Sequence, residues 1–160
     1  MSDATYSTKV YTKQGGVELV VKSGGMIRNQ GYDVKVQPTP TAKTTAATLT
    51  IAELLTGIIT GTHTAGATQA YTLPDGSLID AAFLAARVSL EADDSFDWTL
   101  INLSAAALDT ITVTAGTTHT IVGNPIVQSA HVSTGGIYGN SSRWRTRKTA
   151  ADTFVSYRMA

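Results

Sequence analysis

The stretch Ser95-Phe96-Asp97-Trp98-Thr99-Leu100-Ile101-Asn102-Leu103 decides the fold class. Phe96, Trp98 and Leu100 alternate with Asp97 and Thr99. Successive side chains of an extended chain point to opposite faces, so this pattern is a strand with one apolar face and one wetted face. Related runs follow at 109–114, 119–122, 126–132, 143–148 and 153–158. Strands at about ten-residue intervals, joined by polar turns, predict a sandwich or barrel. The last two runs form a terminal hairpin around Thr149-Ala150-Ala151-Asp152.

Working upstream, Pro74-Asp75-Gly76 closes a strand at Gln69-Ala70-Tyr71-Thr72-Leu73 and feeds a helix over about 77–86. Leu78, Ala81, Ala82 and Ala85 share one face of it, flanked by Phe83 and Leu84, and the small residues suit close packing on a sheet. Thr50-Ile51-Ala52-Glu53 fits a capping box, with the Thr hydroxyl and Glu carboxylate satisfying free N–H groups of a short helix that stops at Gly57. Residues 37–47, with Pro38 and Pro40 and little apolar mass, predict an extended linker. Residues 1–36 repeat short β-branched runs punctuated by Gly15-Gly16, Gly24-Gly25 and Gln30-Gly31, which read as short strands and turns. So few residues form no core alone and must lie on their own domain, a sister subunit or a partner. The expectation is therefore a mainly β chain in two parts. Residues 1–47 are a Gly-punctuated β-rich arm with a Pro/Thr linker. Residues 48–160 are an antiparallel β-sandwich or barrel, jelly-roll-like, with one or two short helices.

Composition narrows the function classes. The chain has 160 residues, 12 basic and 12 acidic side chains, and no cysteine, so disulfides, thiolate metal sites and thiol nucleophiles are excluded. Zero net charge argues against a general nucleic-acid or anionic-membrane binder. No apolar run approaches the ~20 residues of a membrane-spanning helix, and the start is too polar for a secretory signal. Charged residues make up only 15%, against a norm of ~25%. Threonine, with 26 copies, takes their place. A charge-poor, threonine-rich β-protein is one whose surface is hidden by assembly.

The candidates for chemistry are few. His63, His119 and His131 lie too far apart for a zinc motif, and solvated or hydrogen-bonded strand histidines are the default. Glu91, Asp93, Asp94 and Asp97 are the densest acidic stretch, but lack the ligand spacing of a calcium loop. As a carboxylate pair, Asp93, Asp94 or Asp97 would serve a small hydrolase, the weakest of three readings. Arg143, Arg145 and Arg147 share one face of a strand, with Trp144 and Thr146 on the other. The two opposite clusters suggest salt bridges between neighbouring subunits. Asn102-Leu103-Ser104 and Asn140-Ser141-Ser142 match a glycosylation sequon, which carries no meaning without a secretory signal. No catalytic residue, cofactor site or metal site is expected.

Residues 49–158 resemble small structural proteins of tailed bacteriophages, through Leu49-Thr50-Ile51-Ala52-Glu53-Leu54-Leu55-Thr56-Gly57-Ile58-Ile59, Tyr71-Thr72-Leu73-Pro74-Asp75-Gly76, the stretch 94–102, Arg143-Trp144-Arg145-Thr146-Arg147-Lys148 and Phe154-Val155-Ser156-Tyr157-Arg158. Such modules look like capsid decoration, or cement, proteins. The resemblance implies a non-enzymatic virion protein, made in the host bacterial cytoplasm, that binds the outside of the capsid at capsomer junctions, as a trimer, and stabilises the shell. It implies the major capsid protein and sister subunits as partners, with neither nucleic acid nor membrane. The residues expected to make these contacts are Tyr11, Val20, Val21, Ile27 and Arg28 in the arm, and Asp93, Asp94, Asp97, Arg143, Arg145 and Arg147 in the domain. The alternative is a head- or tail-fibre module that binds host surface glycan through Tyr138 or Trp144 beside Asn140.

Overall fold

A computed structural model describes residues 10–12, 19–21, 26, 30–32, 34–63, 68–86, 88–106, 108–130, 132–133, 136–137 and 140–160. The chain divides into two compact units, Met1–Val36 and Gln37–Ala160. In the first, β1 (Val10–Thr12) and β2 (Leu19–Val21) pair antiparallel, with Tyr11 opposite Val20. The Gly15-Gly16 and Gly24-Gly25 pairs lie outside the described residues.

The second unit starts earlier than its composition suggests. The stretch expected to be a linker contains β3 (Thr41–Lys43) and the first residue of β4 (Ala47–Thr48). Two prolines set the extended backbone of residues 37–40, and the threonines that follow are good strand formers once a sheet edge is offered. Then come α1 (Ile51–Leu55), β5 (Ile58–Gly61), β6 (Gln69–Thr72), α2 (Gly76–Ala85), β7 (Ser95–Asn102), β8 (Ile111–Thr114), β9 (His119–Val122) and β10 (Ile126–Val127). A small hairpin, β11 (Val132–Ser133) with β12 (Gly136–Ile137), precedes β13 (Ser141–Ala150) and β14 (Thr153–Arg158).

Two sheets build the unit: β3-β5-β7-β13-β14-β9 and β10-β8-β6-β4. From β3 to β10 the chain places each successive strand in the opposite sheet, so it winds as a coil. Pairs β3–β5, β5–β7, β4–β6 and β6–β8 are therefore parallel, and so, outside the coil, is β14–β9. This corrects the expected all-antiparallel arrangement. A parallel pair needs a long return path, and within the coil each return path runs through a strand of the facing sheet. Only β13–β14, β13–β7 and β10–β8 in these two sheets are antiparallel.

The inner faces meet as a sandwich-like core. Ile59, Trp98, Leu100 and Trp144 come from the six-stranded sheet, and Tyr71, Ile111, Val113 and Val127 from the four-stranded sheet. Leu49, Leu54 and Leu73 from the connections close the ends of the same cluster. Trp98 and Trp144 stand opposite each other on β7 and β13 and stack, with ring centroids 5.5 Å apart and planes within 11°. Outward-facing threonines zip the parallel strands: the hydroxyls of Thr72 and Thr114 lie 2.8 Å apart across β6–β8, and those of Thr68 and Thr110 3.0 Å apart. Hydroxyl pairs on adjacent strands do the work that ion pairs do in charge-rich sheets.

The helix at α1 has the expected cap. The Glu53 N–H donates to Thr50 Oγ1 (3.3 Å), the Thr50 N–H donates to Glu53 Oε2 (2.9 Å), and Gly57 ends the helix at φ 81°. Helix α2 exists as expected, but presents another face. Ile79 is buried, whereas Leu78, Ala81, Leu84 and Ala85 are exposed. The reason lies at its start: a Cβ on Gly76 would sit 1.9 Å from the Asp152 carbonyl oxygen, so the helix is wedged against the β13–β14 turn with the orientation that contact imposes. Lys148 fixes the same orientation, donating to both carboxylate oxygens of Asp80 at 2.7 Å.

Candidate functional site

The two charge clusters meet on the outer face of the six-stranded sheet. Antiparallel register places Arg145 opposite Asp97 and Arg143 opposite Thr99, one row along. Arg145 grips Asp97 with two bonds, Nε to Oδ1 at 2.7 Å and Nη2 to Oδ2 at 3.0 Å. Arg143 Nη2 adds a third at 2.6 Å to Oδ2, and Arg147 pairs with Asp93. The forked geometry suits a planar guanidinium on a carboxylate. Hydrogen bonding from Arg145 is the largest influence on Asp97; against the opposing effect of burial, and helped by Arg143, it lowers the Asp97 pKa to about 2.

This is a correction. The clusters were expected to pair between subunits, and they pair within one chain, because β7 and β13 are direct neighbours. Asp94 stands outside the row. Its Oδ2 accepts from the Glu91 N–H, and its carbonyl accepts from the Lys148 N–H, so it shapes the turn before β7. A carboxylate held ionised by two arginines is a poor general acid, so Asp97 does not suit the hydrolase reading. Exposed ion pairs of this kind contribute little, so the row orders the surface more than it stabilises the fold.

A second constellation lies inside. His119 Nε2 is 2.8 Å from Ser156 Oγ, a spacing that would suit a nucleophile and its base. Its surroundings assign it another role. His119 Nδ1 is 3.2 Å from the Pro74 carbonyl, which can only accept, so Nδ1 carries the proton and Nε2 accepts from Ser156. Ser156 Oγ in turn is 2.7 Å from Thr146 Oγ1, which accepts from Trp98 Nε1 at 3.0 Å. The bonds run in one direction from Trp98 to Pro74. Burial lowers the His119 pKa and keeps the ring neutral. Ser156 and Thr146 are fully buried, so the pair holds strands together rather than meeting a substrate. His63 likewise bonds the Tyr71 hydroxyl at 3.2 Å, and His131 lies outside the described residues.

Sequence reasoning missed one residue of consequence. Asn102, seen only as a sequon, is fully buried, as is Ser104. Its Nδ2 donates to the carbonyls of Asp109 (2.8 Å) and Val127 (3.2 Å), and its Oδ1 accepts from the Ser104 N–H (3.0 Å). One amide on β7 thus ties the six-stranded sheet to the approach to β8 and to β10 in the other sheet. An Asn-x-Ser at the end of an alternating strand is the available signal, since such asparagines close local turns.

The other expected contact residues divide. Val21 is exposed on β2, the side chains of Tyr11 and Val20 are outside what the structure describes, and Ile27 and Arg28 are outside the described residues. Trp144 is fully buried, so it offers no platform for a sugar, and Tyr138 lies outside the described residues. Exposed apolar groups occur instead on α2 (Leu78 and Leu84) and along residues 32–36, where Tyr32, Val34 and Val36 are 98%, 86% and 92% exposed. Among the described residues no group of three or more His, Asp or Glu side chains is placed to hold a metal ion. No described helix is long and apolar enough to cross a membrane. The chain matches no family model, no curated protein and no solved structure.

Proposed function

We propose that this chain is a structural protein of a tailed-phage virion, binding the outside of the capsid at capsomer junctions as a trimer and stabilising the shell. The observation that carries the reading is the distribution of exposed apolar side chains. Leu78 and Leu84 are exposed on the helix, and Tyr32, Val34 and Val36 are exposed ahead of it in the chain, while the arginines of the sheet face pair with aspartates of the same chain. A surface that spends its charges internally and leaves apolar groups outside is built to be covered. Its buried polar groups tie the strands together, which suits a rigid structural role. In this reading the first unit, residues 30–36 included, reaches the major capsid protein or a sister subunit, and the cost of ordering that arm on binding is offset by the contacts it makes.

The test is cryo-electron microscopy of the particle that carries the chain, together with capsid binding by a variant lacking residues 1–36. Hundreds of copies on the shell, lost on truncation while the domain stays folded, are the expected result. Full occupancy by the truncated chain refutes the arm assignment. A handful of copies on a fibre refutes the decoration role.

A further inference from the structure

The two sheets end in four edge strands, β3, β9, β4 and β10, and these are not alike. An edge presents unpaired N–H and C=O groups, and proteins blunt it with prolines, charges, short length or a covering group. Strand β3 follows Pro38 and Pro40 and ends on Lys43. Strand β4 has two residues. Strand β10 also has two, follows Pro125, and has its Ile126 carbonyl covered by Arg158 Nη1 at 2.6 Å. Among the described residues, strand β9 carries none of these devices beyond the bond from its His119 N–H to the Gly116 carbonyl (3.2 Å). His119-Thr120-Ile121-Val122 has four residues, three of them β-branched, with neither proline nor fixed charge, and Thr120 and Val122 are exposed.

The same chain carries a segment with the complementary character. Tyr32, Val34 and Val36 alternate with Asp33 and Lys35, the pattern of a strand with one apolar face. Residues 34–36 belong to no described strand, and the three apolar side chains are almost fully exposed. The charges at the two ends of β9 select a direction. At its start the Asp75 carboxylate accepts from the Thr117 N–H, so this end is acidic. At its finish Gly123 abuts Arg158. Antiparallel addition sets Lys35 toward the acidic end and Asp33 toward Arg158; parallel addition reverses both.

We propose that the free edge of β9 is a strand-addition site, and that its occupant is residues 32–36 of a second copy of this chain, running antiparallel. Main-chain hydrogen bonds supply the attachment and alternate side chains the register. Donor and acceptor are different surfaces, so the contact is head-to-tail and closes into a ring when the rotation permits, as a trimer requires. The proposal deepens the assembly part of the proposed function. It is tested on the purified chain without capsids, so its failure leaves the capsid reading to its own experiment.

Because the chain has no cysteine, single-cysteine variants report contacts cleanly. Full-length Val34→Cys is mixed with full-length Thr120→Cys and mildly oxidised, with exposed Ser77→Cys replacing Thr120→Cys as the control. The expected result is a disulfide between two chains from the first mixture and little from the control. In parallel, light scattering compares the wild type with Val34→Pro, which removes one N–H from an exposed segment, and with Thr120→Lys. Both variants should fall to the mass of a single chain with circular dichroism unchanged. A monomeric wild type, unchanged mass in Val34→Pro, or a disulfide confined to single chains of a Val34→Cys/Thr120→Cys double variant would each overturn the proposal. Occupation of the edge by a capsid protein strand alone is covered by the first of these outcomes.

Discussion

Replacing Asn102 by alanine removes three hydrogen bonds from a site that water does not reach. Each such bond contributes a net ~1 kcal/mol, and more where the abandoned partner stays dry, so the loss should be about 3 kcal/mol. For a chain of this size that lowers the melting temperature by roughly 6–12 °C. Asn102→Asp is the sharper probe because it keeps the shape. The carboxylate still accepts from the Ser104 N–H, but it faces the Asp109 and Val127 carbonyls with lone pairs instead of N–H groups. At neutral pH it should be at least as damaging as alanine. Burial raises the pKa of such a carboxyl, so its native form holds a proton that the unfolded chain gives up above pH ~4. The aspartate variant should therefore recover stability as pH falls toward that value, which the alanine variant cannot do. Urea unfolding of wild type and both variants, at neutral and mildly acidic pH, measures these differences. A loss below ~1 kcal/mol in both variants would refute the view that this amide ties the two sheets together.

Three further outcomes follow from the same geometry. Gly76→Ala should destabilise far more than Gly57→Ala in thermal melts: the first drives a Cβ to 1.9 Å from a backbone oxygen, while the second adds only the strain of φ 81°, about 1–2 kcal/mol. Trp144→Ala should cost about 3–5 kcal/mol and abolish the near-ultraviolet dichroism of the stacked pair, measured by unfolding and by spectra of the folded variant. Asp97 is lowered from 3.8 to about 2, so its contribution is complete above pH ~4 and disappears as pH falls toward 2. Asp97→Asn should therefore flatten the pH dependence of stability across that window while changing stability near neutrality by no more than ~1 kcal/mol, as expected for a largely wetted pair.

The local elements were legible because their signals are local. Thr50 to Glu53 holds a complete cap within four residues, and the 96–98–100 alternation needs only the chain's own pleat. The arginine row was legible for the same reason, since i and i+2 share a face of any strand. Its partner was not. The sequence contains two opposite clusters and nothing about which chain supplies each, and the answer came from β7 lying beside β13. The face of α2 was misread because its apolar residues surround much of the helix. What selects Ile79 is the contact of Gly76 with Asp152, 76 residues downstream. Asn102 was missed because a buried amide and an exposed one share the same letter.

By itself, then, the sequence determined a mainly β chain with two short helices, the positions of its central strands and its terminal hairpin, and the separation of its charges. Each of these follows from backbone periodicity or from turn and cap chemistry within a few residues. Tertiary structure alone decided that the chain coils between two sheets with mostly parallel pairs in the wound part, that the two charge clusters pair within one molecule, and that β9 is the edge left open among the described residues. Period-two alternation is identical in parallel and antiparallel strands, and an edge is defined by the neighbour it lacks. No window of sequence contains that neighbour, so only the assembled fold could show where it is absent.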